Sequence, residues 1–174
     1  MDAAVLLREQ LKQAHGLCSG TMQAVTAELA HWPPPGNANP LGASYAHMAI
    51  SEDALINGMA KGGAPLFAST WGDKTGLSAP PPAPGTSWDE WGRNVKIDLT
   101  ALQEYANAVF AASAEYLGSL SSADLDRELD LSGFQLGKQS LGWFLGTIVV
   151  SHINNHCGEI ACLKGLQGAK GYPF

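Results

Sequence analysis

His152 and His156 stand four residues apart near the C-terminus, in the stretch Ser151-His152-Ile153-Asn154-Asn155-His156-Cys157-Gly158-Glu159, with Glu159 three residues further on. On an α-helix advancing about 100° per residue, His156 falls roughly 40° around from His152 and Glu159 roughly 340°, so all three side chains leave one narrow face. Leu141, Leu145, Ile148, Leu163 and Leu166 continue that face in both directions. An ionisable patch therefore interrupts an apolar stripe that should point into a core. Burying such groups is costly unless a partner compensates, and a divalent ion held by neutral imidazoles is one such partner. Two histidines at i and i+4 can present both rings to one ion. Ile153 stands where a zinc metalloprotease helix carries glutamate, so that mechanism is dropped. Cys157 projects about 100° away from His156 and should point elsewhere. Glu159 is open to several readings: a ligand, a group holding a water, an orienting partner of His156, or half of an interior salt bridge.

A third histidine with a core-facing position is His47. Its helical face is shared by Ala43, Ile50, Ser51, Ala54 and Gly58. Small residues there let a facing helix approach closely and leave room beside the imidazole. The plainer alternative is a buried histidine bonded to a backbone carbonyl. His15 lies at the edge of an apolar stripe and reads as a core-edge histidine, and His31 as a helix-end residue with a capping role at most.

The elements that must position these groups are long helices. Leu7, Leu11, Ala14, Cys18, Met22, Val25 and Leu29 recur at spacings of three and four, which predicts one helix from Asp2 to about Ala30, stopped by Trp32-Pro33-Pro34-Pro35-Gly36. Asn39-Pro40 reads as an N-cap and first helical position for a second helix running to about Lys61 and ended by Gly62-Gly63. Residues 62–87 show no period; a loop this long is often a lid or binding loop, with Phe67, Trp71, Asp73 and Lys74 available to cover a pocket mouth. Ser87 and Glu90 form a capping-box pattern for a third helix to about Leu120, with Asp98 on its margin as a carboxylate that orients a histidine or faces water. Ser122 to Leu125 suggests a helical turn, and residues 128–139 extended chain or a short hairpin. Ser140 then caps a fourth helix, Leu141 to about Leu166. The expectation is an all-α four-helix bundle with a long loop between helices two and three, a single domain over residues 1–174.

The bulk composition narrows the function. With 174 residues the chain can bury a real core, and 45% hydrophobic against 15% charged residues is ordinary for a globular protein. A net charge of −6 and scattered Lys and Arg argue against nucleic acid as a partner. The N-terminal residues lack a basic and apolar secretory pattern, and the longest apolar run, Leu141 to Val150, is too short to span a bilayer. Three unpatterned cysteines, Cys18, Cys157 and Cys162, fit free thiols in a reducing cytoplasm. Trp143, Val150 and Ala161 lie opposite the site face and are available to a dimer or to another helix.

Ala46-His47-Met48-Ala49 followed by Ser51-Glu52, the Trp-Pro-rich break before that helix, and Ser151 to Ile160 on the last helix together resemble the DinB-like (damage-inducible) superfamily. The resemblance spans most of the chain, with the order and placement of short motifs carrying it. It implies a four-helix bundle, often a homodimer, in which His47, His152 and His156 bind a divalent ion such as nickel or zinc. It further implies relatives that are S-transferases or isomerases using low-molecular-weight thiols. On this reading the protein is a metal-dependent thiol S-transferase acting on a small electrophile, with Glu159 as proton carrier and the 62–87 loop as gate. The alternatives are a metal-dependent hydrolase of a small ester or amide, and a non-catalytic metal-binding or stress-associated helical protein. A fourth protein ligand, with His15, Asp98 and Glu159 the candidates, would favour a structural metal. Ordinary imidazoles would release the ion as pH falls below roughly 6.

Overall fold

The computed structural model describes residues 2–83 and 86–174. Four long helical rods form the bundle. The first, α1 (Ala3–Met22), starts where the Asp2 carboxylate accepts from the Val5 N–H, and it buries Leu11, Ala14, Cys18 and Met22. It stops well short of Ala30. The ammonium group of Lys164 donates to the carbonyls of Thr21 and Gln23, at 2.6 and 3.1 Å. Ala24 then turns the chain at φ 58°. Thr26 starts a separate short helix, α2 (Ala27–His31), by accepting from the Leu29 N–H. Val25 and Leu29, expected on the buried stripe, are only partly covered. A lysine 143 residues away in sequence takes carbonyls at the end of the helix, and local periodicity carries no sign of it.

The second rod is α3 (Leu41–Asp53), which continues without a break into a π-helical segment, Ala54–Ala60. Pro40 occupies the N-cap position and no side chain caps it. Asn39, expected as the cap, instead lies against Gly92, where a Cβ would come within 2.7 Å of its Oδ1. The rod ends as anticipated, with Gly62 at φ +70°.

The expected third helix is two. Ser87 caps α4 (Trp88–Asn94) by accepting from the Asp89 N–H. After a stretch of extended chain, Asp98 caps α5 (Leu99–Ser119), accepting from the N–H groups of Thr100 and Ala101. Residues 95–98 are held extended by the long loop. Leu77 pairs with Ile97, the Ser78 N–H donates to the Lys96 carbonyl, and the Lys96 N–H donates to Ser78 Oγ. His31 joins in, its Nε2 accepting from the Ile97 N–H at 3.0 Å. Gly76 makes the approach possible: at φ +74°, a Cβ there would lie 2.6 Å from the Asp98 carbonyl. Asp98 is thus a cap and not a partner of any site histidine.

A short antiparallel hairpin, β1 (Glu128–Asp130) with β2 (Lys138–Ser140), leads into the fourth rod. Ser140 caps α6 (Leu141–Trp143) by accepting from the Trp143 N–H. A second π-helical segment, Phe144–Val150, follows and runs directly into α7 (Ser151–Leu166). Among the four rods, α3 packs on α5 and α7, and α1 packs on the same two from the other side. The diagonal between α1 and α3 meets at the centre, where Cys18 Sγ lies 3.6 Å from Met48 Sδ and His15 Nε2 lies 2.8 Å from Glu52 Oε1. One apolar cluster runs from Ala4 to Leu163 through all the rods. Val150 and Ala161 are buried within the chain, whereas Trp143, of the same strip, is only partly buried. Leu166, predicted on the core face, is 60% exposed. No described helix is long and apolar enough to cross a membrane.

The loop between the second and third rods is pinned at its start. Asp53, fully buried, accepts from the N–H groups of Leu66 and Phe67, from Asn57 Nδ2 and from the Tyr105 hydroxyl, all at 2.8–3.0 Å. Trp71 packs near Tyr105, with ring centroids 6.0 Å apart.

Candidate metal centre

His47 comes from α3, and His152 and His156 from successive turns of α7, so the site sits where these two rods pack together. The Nε2 atoms converge: that of His152 is 3.2 Å from His47 Nε2 and 3.1 Å from His156 Nε2. The three rings can each offer one nitrogen within 4.8 Å of the others, and among the described residues no further His, Cys, Asp or Glu joins the cluster. With metal–nitrogen bonds of about 2.0–2.1 Å, ligand nitrogens lie roughly 3.0 Å apart at octahedral angles and roughly 3.4 Å apart at tetrahedral ones. The two separations, 3.2 and 3.1 Å, fall between those limits. Nitrogen lone pairs brought this close repel unless a proton or a cation sits between them.

Electrostatics point the same way. Burial pushes His47 down to about 4, with the neighbouring His156 adding to the effect and Glu159 opposing it. Burial likewise pushes His152 down to about 3, helped by His156 and His47. Both rings are therefore neutral at pH 7, the form that binds metal. The third ring has an orienting partner. Its Nδ1 lies 2.7 Å from Glu159 Oε2, and the carboxyl is held below the usual carboxylate range chiefly by that bond, with Ser44 also contributing against burial. An ionised carboxylate only accepts, so His156 Nδ1 donates to it, which turns Nε2 towards the cluster. Ser44 Oγ donates to the other oxygen at 3.0 Å. Among the described residues, Nδ1 of His47 and of His152 have no such partner. Orientation by a carboxylate is thus confined to one of the three rings.

Glu159 consequently sits behind His156, with both oxygens engaged, and is not a fourth member of the nitrogen cluster. His15 is remote from it, paired with Glu52 and stacked on Phe110 at 4.0 Å. Cys157 is buried against Thr21, as its helical angle predicted. Two contributors were missed in the sequence. Ser44 lies one helical turn before His47 on the same face, a signal that was legible. Trp88, edge-on to His47 at 4.3 Å, comes from a different helix and left no local trace.

Two cavities border the cluster. A small polar one of about 250 Å³ touches His47, His156, Glu159, Ser44 and Asp89. A larger one of about 890 Å³ touches His152, and Trp88 borders both.

The sequence model of the DinB superfamily matches residues 10–160, which takes in all three histidines and Glu159. The chain belongs to the DinB superfamily. A crystal structure described as the conserved protein of a locus from Enterococcus faecalis superposes with a TM-score of 0.81, covering 95% of this chain and 97% of that one at 21% identity. That likeness bears on the fold alone. No curated protein matches the chain. Within this DinB-superfamily bundle the histidine cluster is built by the two rods whose helical geometry is locally widened, since π segments follow His47 and precede His152.

Proposed function

We propose that this protein binds one divalent ion, nickel or zinc, through Nε2 of His47, His152 and His156, and that it catalyses the transfer of a low-molecular-weight thiol to a small electrophile. The convergence of three nitrogens, with two of the rings held neutral by burial, is the observation that supports the metal site, and the thiol chemistry rests on the family resemblance. A set of three imidazoles with no fourth protein ligand among the described residues suits an open site, in contrast to the closed four-ligand shell of a structural zinc. Imidazole donors suit nickel and zinc alike. When bound, such an ion supplies Lewis acidity that lowers the pKa of a thiol or water and so provides a nucleophile near neutral pH.

The chain's own groups do the rest. Glu159 fixes the ring of His156 and borders the small polar cavity, and in this reading it takes the thiol proton there while still accepting from His156 and Ser44. The sulfur pair then forms the bond to the electrophilic carbon, and the leaving group departs with the bonding pair. Residues of the long loop wall the larger cavity. Three free cysteines, two of them buried, fit a reducing cytoplasm, and a homodimer, implied by the family resemblance, belongs to the same reading.

Conjugation of a thiol to a neutral electrophile, followed in protein stripped with chelator and then reloaded, tests the proposal. Activity should appear only on reloading. Glu159→Gln should lower metal affinity or turnover by about 10–100-fold, the usual cost of losing an orienting carboxylate. Activity indifferent to both treatments would reject this chemistry, and turnover of esters without any thiol would favour the hydrolytic alternative.

A further inference from the structure

The cavity of about 890 Å³ beside His152 is within the size range of sites that enclose small organic ligands. Ile50, Leu55 and Met59 form one wall, Phe67 and Leu77 another, and Ile148 a third. Its polar borders are Ser51, Thr75, Ser78 and His152; no Asp, Glu, Lys or Arg lines it among the described residues. A charged ligand entering this wall would lose hydration and meet no counter-charge, whereas an apolar one gains by leaving water. Pro80, Pro81 and Pro82 build part of the rim with fixed φ angles, so that stretch is stiff before any ligand arrives. Both π segments also abut the cavity, one through Ala54, Leu55 and Met59 and the other through Ile148. The small polar cavity on His47, His156 and Glu159 has the opposite character, so the cluster stands between a polar and an apolar chamber.

We propose that the substrate entering the larger chamber is an uncharged, predominantly apolar molecule of drug-like size, its body against Leu55, Met59 and Phe67 and its single polar reactive group ending at His152. The placement of the reactive end rests on the metal-site reading; the apolar character of the body does not.

N-phenyl-1-naphthylamine, a neutral dye that brightens in apolar surroundings, is the probe, titrated into the full-length protein with and without bound metal. Saturable one-to-one binding is expected in both forms. In the chelated form, 1-decanol should displace the dye at least tenfold more effectively than decanoate or decylammonium. Ala54→Phe, which fills the chamber, and Met59→Glu, which charges its wall, should each weaken dye binding at least tenfold while metal content is unchanged. Should Met59→Glu fail to fold by circular dichroism, Ala54→Phe decides. Absent or non-saturable binding, equal displacement by the charged amphiphiles, or insensitivity to the folded variants would overturn the proposal. So would dye binding that disappears as the protein is concentrated into a dimer, since a second copy would then be covering the chamber. A protein that binds dye as described but holds no metal leaves the chamber assignment standing and rejects the metal reading; metal without dye does the reverse.

Discussion

Asp53→Ala is expected to destabilise the protein by about 3–5 kcal/mol, the range for stripping one partner from a buried, charge-assisted network. The carboxylate is fully buried and accepts four hydrogen bonds, two of them from the backbone of the long loop. Alanine leaves the N–H groups of Leu66 and Phe67, the Asn57 amide and the Tyr105 hydroxyl facing a space with no acceptor. Because native proteins hold only about 5–15 kcal/mol in total, a loss of this size should be plain in a urea melt. Asp53→Asn should fall between, since an amide offers one acceptor oxygen and turns its NH2 towards groups that themselves donate. The loss also reaches the site. Asp53 ends the helix that carries His47 and anchors Leu66 and Phe67, and both of those segments wall the larger cavity. A loss below about 1 kcal/mol would show that the loop is held by other contacts.

The second large effect concerns acid. His47 and His152 titrate near 6.5 in an unfolded chain but are pushed down to about 4 and about 3 in the fold, first of all by burial. Between about 6.5 and 4 the unfolded chain therefore binds protons on these rings that the folded chain refuses. Stability rises with pH wherever the unfolded state holds more protons, so this contribution is fully present above pH 6.5 and is lost as pH falls towards 4. Chelated wild type should show a falling melting temperature across that window, and His47→Leu/His152→Leu a distinctly flatter profile. The metal-loaded protein should resist acid for the same reason. Two of the three rings need no deprotonation at pH 5.5, so metal should be held further into acid than three ordinary imidazoles would hold it. This moves the release point below the value of roughly 6 that ordinary imidazoles suggest. Half-loss of metal at pH 6 or above would show that the two rings are not sheltered as the packing requires.

How much of this was written in the chain differs between the site and its surroundings. His152, His156 and Glu159 all lie within α7, where the helix is regular, so a wheel of about 100° per residue placed them correctly. The face of His47 left a plain buried histidine as an alternative, and the family resemblance is what marked it as a ligand beside His152 and His156. The errors fall where distant groups act on the backbone. Lys164 takes the carbonyls at the end of α1, and the pairing of Leu77 with Ile97 splits the third rod. Neither partner is near in sequence, and apolar spacing runs unbroken across both interruptions. Asp98 looked like a marginal carboxylate because the break it caps was invisible. The π segments are hidden for a related reason: one extra residue per turn shifts the face without changing composition. Trp88 and the two chambers follow from how α4 and the loop return to the bundle, which no local pattern encodes.

The central claim is that three imidazoles hold one ion. Its most direct measurement is the metal content of purified full-length protein by elemental analysis, after equilibration with nickel or zinc and removal of free ion. Wild type should retain close to one ion per chain, and His152→Ala, still folded by circular dichroism, should retain nearly none, because His152 Nε2 lies within 3.2 Å of both other ligand nitrogens. Equal metal content in the two proteins, or none in wild type, would contradict the account.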